Sequence, residues 1–345
     1  MYLEQEIAEQ PNVIRSLLQQ ETATARQIAQ AIRAFDPAFV CIAARGTSDN
    51  AARYAQYIFG AIARLPVALA TPSLHTLYGA PPNLGRALVI GISQSGQSAD
   101  VGQVISDARA QGALTVSITN DADSPMAHTA DYHLHLRAGA EISVAATKTY
   151  TAELTACAML VAALVDQAEL QQDLARLPDY ADWVIFRLLP LTHPGWVERY
   201  RYMDHCATIG RGYHYGTALE INLKIKELCY ITGDGYSEAD FRHGPIATVH
   251  PGLPVIAVAP AGKTLPVMLD LLAKLHERQA ELLVISNEPA AFVHAQNQME
   301  LPEMPEWLTP VTAVIPGQVL ALRLALVKGH EIDHPRGLTN VTVTK

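Results

Sequence analysis

The 345-residue chain has only four cysteines, and none stand in a C-x-x-C pair. Cys41, Cys157, Cys206 and Cys229 lie far apart in apolar surroundings, which argues against a redox or metal pair and for core thiols in a reducing cytosol. Charge is scarce too: Asp, Glu, Lys and Arg make up 17% of the residues, and no Lys/Arg cluster is present. With a formal net charge of −9, the chain has no basic face for nucleic acid. Long apolar runs are missing. The longest, residues 154–165, is about a dozen residues and reads as a buried helix, so no membrane span is expected. The start, Met1-Tyr2-Leu3-Glu4-Gln5-Glu6, is acidic and unlike a signal peptide, and the expected location is cytoplasmic. The 13 histidines include no H-E-x-x-H or comparable ligand spacing, so neither metal nor cofactor is expected.

What is present is a large apolar complement, 49% of the residues, enough for two domains of ordinary size. One stretch organises the first half: Ser93-Gln94-Ser95-Gly96-Gln97-Ser98, after an apolar β-type run at 87–92 and before a helical pattern at 100–108. Strand, hydroxyl-rich turn and helix start form a layout that holds a phosphate, because the first amides of a helix lack intrahelical partners and its dipole favours an anion. The serine hydroxyls and the Gln amide add neutral donors, and Gly96 lets the backbone come close. The plainer alternative is a βα turn with Ser98 as helix cap.

Before this turn, residues 1 to 35 read as a helical arm interrupted at Pro11, with apolar stripes at Val13, Ile14, Leu17, Leu18 and at Ala25, Ile28, Ala29, Ile32. A β/α alternation follows: strand 38–44, turn Arg45-Gly46-Thr47-Ser48, helix 50–62, short strand 66–70, the strand and turn just described, strands 114–118 and 132–136, then an Ala-rich helix at 144–165. His133 and His135 alternate with leucines and read as solvent-facing strand positions. Pro178, Pro190 and Pro194 mark a connection. Alternation of this kind implies parallel sheets with helices on both faces and ligands at the C-terminal strand ends.

The second half repeats the first. Arg45, Gly46 and Gly96 recur as Arg211, Gly212 and Gly262 at an offset of 166, and Asn120 recurs as Asn287 at 167. The expected organisation is therefore two tandem doubly wound α/β subdomains related by duplication. The arm covers 1–35, the first subdomain with the phosphate site 36–168, a linker helix 169–197, the second subdomain 198–330 and a tail 331–345. The second copy has lost the serines and Gln of the turn, which leaves it free to supply reactive groups.

Three stretches carry such groups. On the helix 217–228, Glu220, Lys224 and Glu227 share one face beside the apolar stripe Ala218, Ile221, Ile225, Leu228. They form either an exposed ion-pair ladder or a carboxylate base tuned by an ammonium. The loop Ser237-Glu238-Ala239-Asp240-Phe241-Arg242-His243-Gly244-Pro245 places a His between that helix and the next strand. At Glu141-Ile142-Ser143-Val144-Ala145-Ala146-Thr147-Lys148, Glu141 and Ser143 either cap the long helix or face a ligand.

Together with the tail Pro335-Arg336-Gly337-Leu338, these stretches resemble the SIS (sugar isomerase) domain family over nearly the whole chain. Within it, the likeness is to the isomerase half of glucosamine-6-phosphate synthase and to stand-alone SIS-type glucosamine-6-phosphate deaminases. The resemblance implies that Ser93, Gln94, Ser95, Ser98 and Ser48 hold a sugar phosphate, and that Thr47 and the backbone near Val144 contact sugar hydroxyls. It implies that Glu227 moves a proton between C1 and C2 with Lys224 beside it, and that His243 assists ring opening from a partner subunit. A homodimer acting on a phosphorylated amino sugar is thus expected, with no nucleic acid or membrane partner. The activity expected is conversion of glucosamine 6-phosphate and water to fructose 6-phosphate and ammonia. A fructosamine-6-phosphate deglycase, another phosphosugar isomerase or a non-catalytic phosphosugar sensor are the alternatives. Two departures stand out. The synthase opens with a glutaminase domain whose nucleophile is an N-terminal Cys, whereas this chain opens Met1-Tyr2, so it is not expected to draw ammonia from glutamine. The family's tail lysine, which forms a Schiff base with the ketose, is replaced near Asn340, with Lys345 the remaining lysine of the tail. The tail near Asn340 and the stretch Leu74-His75-Thr76-Leu77-Tyr78 are the segments expected to select the sugar.

Overall fold

Buried strands of β-branched and aliphatic residues build two parallel five-stranded sheets. The fold is described from a computed structural model, for residues 1–189 and 195–339. The first half runs α1 (Tyr2–Phe35), β1 (Phe39–Ala43), α2 (Gly46–Ala61), β2 (Val67–Leu69), α3 (Pro72–Thr76), β3 (Ala87–Ser93), α4 (Ala99–Ala110), β4 (Leu114–Thr119), α5 (Pro125–Thr129), β5 (Tyr132–His135), α6 (Lys148–Val165) and α7 (Ala168–Ala175). The second runs α8 (Leu177–Leu188), α9 (Gly195–Glu198), β6 (His205–Gly210), α10 (Tyr215–Cys229), β7 (Thr232–Ser237), α11 (Glu238–Arg242), β8 (Pro254–Val258), α12 (Leu265–Glu277), β9 (Glu281–Ser286), β10 (Asn297–Glu300) and α13 (Thr309–Lys328).

The first sheet has the order β2-β1-β3-β4-β5 and the second β10-β9-β8-β6-β7. Read from its other end, the second is the same second-first-third-fourth-fifth arrangement, so the duplication seen in the sequence is also one of topology. Every strand pair is parallel. All seven residues of β3 are buried, as expected of a central strand with helices on both faces. In each sheet the chain runs from the first strand to one neighbour and later returns on the other side. That reversal lies between β1 and β3 in one sheet and between β6 and β8 in the other, the point at which open α/β sheets receive ligands.

By contacts, the described residues divide into two units. One holds Gln10–Glu141 and Lys148–Pro178; the other holds Met1–Glu9, Ile142–Thr147 and Asp179–Leu338. The N-terminal end of α1 and the 142–147 segment therefore group with the second sheet. Hydrogen bonds account for this: Tyr2 and Leu3 donate backbone N–H groups to Asp333 at 3.1 and 3.0 Å, and Ser143 Oγ donates to Glu6 at 2.6 Å.

Several boundaries differ from the sequence expectation. Helix α1 runs unbroken through Pro11. Proline costs about 3 kcal/mol inside a helix, and burial of Leu3, Ile7, Val13, Ile14 and Leu17 on either side outweighs it. Helix α2 starts at Gly46, so Thr47 and Ser48 lie in its first turn instead of a preceding loop. Helix α6 starts at Lys148, four residues later than expected. Pro178 sits in the first turn of α8, where its missing N–H has no intrahelical partner to lose, while Pro190 and Pro194 lie outside the described residues. His133 and His135 are half-buried, not solvent-facing: His133 Nε2 lies 3.0 Å from Thr119 Oγ1, and burial pushes both imidazoles below their usual pKa. Two helices nevertheless have the length and mean composition of a membrane span without being continuous apolar runs. The windows Lys148–Val165 and Glu306–Lys328 are long and apolar enough, but 89% of each is buried inside the protein. These are helices enclosed by their own fold, whose Thr, Ala, Gly and Pro content hid their apolar length.

Candidate active site

In the first unit, β3 delivers the chain into the Ser93–Ser98 turn. Gly96 has φ +63°, and a Cβ there would lie 2.2 Å from Ser124 Oγ, so both the backbone conformation and the space require glycine. The β4–α5 segment braces the turn: Asn120 donates its N–H to Gln94 O at 3.0 Å, and Met126 its N–H to Gly96 O at 3.4 Å. Ser93 Oγ accepts the Gly96 N–H at 3.2 Å and lies 3.4 Å from Ser98 Oγ. Ser95 Oγ accepts the Gln97 N–H at 3.3 Å. Ser93 is buried; Gln94, Ser95 and Ser98 are half-buried. Ser98 precedes α4 but makes no side-chain cap, so the plain capping alternative does not account for its hydroxyl. The amides that open α4 have no intrahelical acceptor, and the hydroxyls of Ser93 and Ser98 converge beside them. The arrangement gathers neutral donors that can receive an anion.

Two further residues meet at this edge. Arg45, the last residue before α2, directs its Nε to the fully buried Asp100 carboxylate at 2.7 Å. Ser48 Oγ donates to Glu153 of α6 at 2.8 Å, so this hydroxyl faces α6. Thr47 is half-buried in the same turn. Glu141 settles the alternative left open for its stretch: it accepts the Thr149 N–H at 3.2 Å and the Thr149 hydroxyl, capping α6. Ser143 does not cap. In the second unit its N–H and hydroxyl, with the Ile142 N–H, all donate to the Glu6 carboxylate. Glu6 thereby fixes the segment carrying half-buried Val144.

The second unit carries the reactive helix. In α10, Ala218, Ile221, Ile225 and Leu228 are buried, as the periodicity predicts, but so are Glu220 and Lys224. The exposed-ladder alternative is thereby ruled out. Lys224 Nζ lies 2.6 Å from Glu227 Oε2 and 3.4 Å from Glu220 Oε1. The side chains of Glu220 and Lys224 are 0% and 1% exposed, against 20% for Glu227. Glu227 is thus the one carboxylate of the triad that reaches open space while held against a buried ammonium. Such a group can take and return a proton without losing its position.

His243 follows α11 and is exposed. Its loop is fastened by Glu238, whose buried carboxylate pairs with Arg242 and lies 3.7 Å from Arg211 Nη1. The second copy's equivalent of the Ser93–Ser98 turn is filled by the chain itself. Glu306 Oε1 accepts the Lys263 N–H at 2.8 Å, and a Cβ on Gly262 would lie 2.2 Å from its carboxyl carbon. At the tail, Tyr230 receives the Arg336 N–H at 2.8 Å and lies under its guanidinium, 4.0 Å from the ring centre. Asn340 and Lys345 lie outside the described residues. The segment expected to help select the sugar forms α3, with His75 Nδ1 2.8 Å from Asp107 Oδ2, and leaves Leu77 and Tyr78 exposed. Burial pushes the Cys41 thiol up to about 11 and those of Cys206 and Cys229 up to about 12, and raises Cys157 as well, so none of the four is a ready nucleophile.

Sequence reasoning passed over Asp100, Glu153, Glu6 and Glu306. Each acts through a partner far along the chain and belongs to no local spacing pattern.

A twice-used parallel α/β unit, with a serine-rich turn in one copy and a buried Lys–Glu helix in the other, defines a tandemly duplicated α/β architecture. The SIS domain model matches residues 38–163 and 201–328, and the chain belongs to that family. A glutamine–fructose-6-phosphate aminotransferase (isomerizing) from Pyrococcus horikoshii is 33% identical over 99% of this chain, which spans 58% of that protein. The C-terminal domain of glucosamine-fructose-6-phosphate aminotransferase from Francisella tularensis has a TM-score of 0.82 at 26% identity, covering 97% of this chain and 98% of that one. A glucosamine-6-phosphate deaminase from Thermotoga maritima shares the fold, with a TM-score of 0.79 at 19% identity over the whole of both chains.

Proposed function

We propose that the protein is a phosphosugar aldose–ketose isomerase-type enzyme that deaminates glucosamine 6-phosphate to fructose 6-phosphate and ammonia. The observation that carries this reading is the Lys224–Glu227 contact of 2.6 Å, with Glu227 partly open to solvent. The family membership and the aminotransferase relatives support a phosphosugar substrate.

In this reading Ser93, Gln94, Ser95 and Ser98 hold the phosphate, Ser48 completes the pocket, and Thr47 and the Val144 backbone contact sugar hydroxyls. His243 assists ring opening, donated from the partner of a homodimer; its exposure in the protomer fits that role. Glu227 takes the C2 proton of the open-chain aldehyde, giving an enolamine, and returns a proton to C1 as the C1 oxygen is protonated. The C2 imine so formed adds water and loses ammonia. Lys224 holds the Glu227 carboxyl group in place through both transfers. No lysine imine is needed.

Ammonia release from glucosamine 6-phosphate, assayed beside fructose 6-phosphate formation, tests the proposal. Equal yields of both are expected, and Glu227→Gln should abolish turnover while the sugar phosphate still raises the melting temperature. Retained activity in that variant would sink the base assignment. Thermal stabilisation without either product would replace deamination with action on another phosphosugar, such as a fructosamine 6-phosphate, or with sensing.

A further inference from the structure

We infer that Arg45 is a substrate-binding residue, the cation that meets the phosphate dianion at the Ser93–Ser98 cradle; this rests on the phosphosugar reading above.

The cradle's own donors are neutral: serine hydroxyls, a glutamine amide and backbone N–H groups. Two residues beyond Ser98, the Asp100 carboxylate lies fully buried in the first turn of α4. A carboxylate there opposes a second anion at the same helix end. Arg45 offsets it through Nε at 2.7 Å. The rest of the guanidinium is not used up by this contact. The side chain is 48% exposed, and its terminal amino groups make no bond to the described residues. The parallel register Ala43↔Gly91 carries Arg45 and Ser93 to the same edge, where β1 and β3 diverge. A guanidinium fastened by Nε to the start of α4 therefore presents its paired N–H donors at the edge the phosphate would enter.

The second copy shows what the same Arg-Gly turn does without an anion to bind. There Arg211 Nη1 is directed to Ser237 Oγ at 3.5 Å and to Glu238, and Glu306 fills the neighbouring turn. The terminal nitrogen is spent on the protein. In the first copy it is kept for a ligand.

The test is isothermal titration of inorganic phosphate and of glucosamine 6-phosphate into wild type, Asp100→Asn and the double variant Arg45→Met/Asp100→Asn. The double variant avoids leaving Asp100 buried without its cation, and an unchanged melting curve confirms its fold. Asp100→Asn is expected to bind both ligands as well as wild type or better. The double variant should bind them ~10–100-fold more weakly, the range of one lost charge-assisted contact, with a shallower dependence on salt. If the two variants bind alike, or if the double variant matches wild type, Arg45 does not touch the phosphate. The inorganic phosphate titrations read binding without turnover, so they stand or fall separately from the deamination assay.

Discussion

The Glu306 carboxylate receives the backbone N–H of Lys263 at 2.8 Å, the position in the second copy that corresponds to Gln97 in the first. A duplicated anion turn has been closed with an internal anion. The turn keeps a negative partner for its amide, and Gly262 at φ +149° packs against the carboxylate.

Removing that partner should therefore cost stability. Glu306→Ala removes the acceptor of the exposed Lys263 amide, for a loss of about 0.5–1.5 kcal/mol, while Glu306→Gln retains an acceptor oxygen and loses less. Urea midpoints of the two variants against wild type provide the comparison. Equal and negligible shifts would mean that the carboxylate does not hold the turn.

The α10 triad predicts a different pattern. Lys224→Met strands Glu220, whose side chain is fully buried, without its ammonium, at a cost of roughly 3–5 kcal/mol. Adding Glu220→Gln removes the stranded charge and should recover much of the loss, because a buried ion pair contributes little net stability beyond a neutral, well-packed replacement. Chemical denaturation of the single and double variants decides it: a double variant no more stable than the single one would show that the cost lies in packing and not in charge.

How far the sequence alone reaches is uneven. Strands such as β3 and β9 announce themselves as short apolar runs between turn residues, and the constant offset from Arg45 to Arg211 exposed the duplication that the strand orders repeat. The donors of the Ser93–Ser98 turn are legible for the same reason: they are consecutive, so spacing alone defines them. Helix starts were less legible. Gly46 and Lys148 open α2 and α6 because tertiary partners hold the preceding residues, Glu141 capping α6 from outside the helix. Propensity had no means of seeing that. Burial of Lys224 was hidden as well, since an i, i+3, i+4 pattern of charges has the same spacing on an exposed face as on an enclosed one. The buried carboxylates of Asp100, Glu153 and Glu6 each answer a donor 55 or more positions away, a relation that exists only once the sheets have formed.

His214 supplies the pH dependence. It is buried at the entry to α10 with Nε2 2.6 Å from Thr309 Oγ1, and burial pushes its pKa down to about 4 from an ordinary 6.5. Between those values the unfolded chain binds a proton that the folded chain refuses, so stability falls as pH drops through the window from 6.5 to 4. Above 6.5 the contribution of this group is fully present; below 4 it has been lost and the profile flattens. A depression of this size corresponds to about 3 kcal/mol. His133 and His135, also lowered chiefly by burial, add losses of the same sign. Unfolding free energies from urea titrations at several pH values between 4 and 7.5 should trace this decline, and His214→Gln, which keeps a polar group near Thr309 but cannot take up a proton, should flatten part of it. A variant whose profile remains as steep as that of wild type would assign the acid sensitivity to other groups.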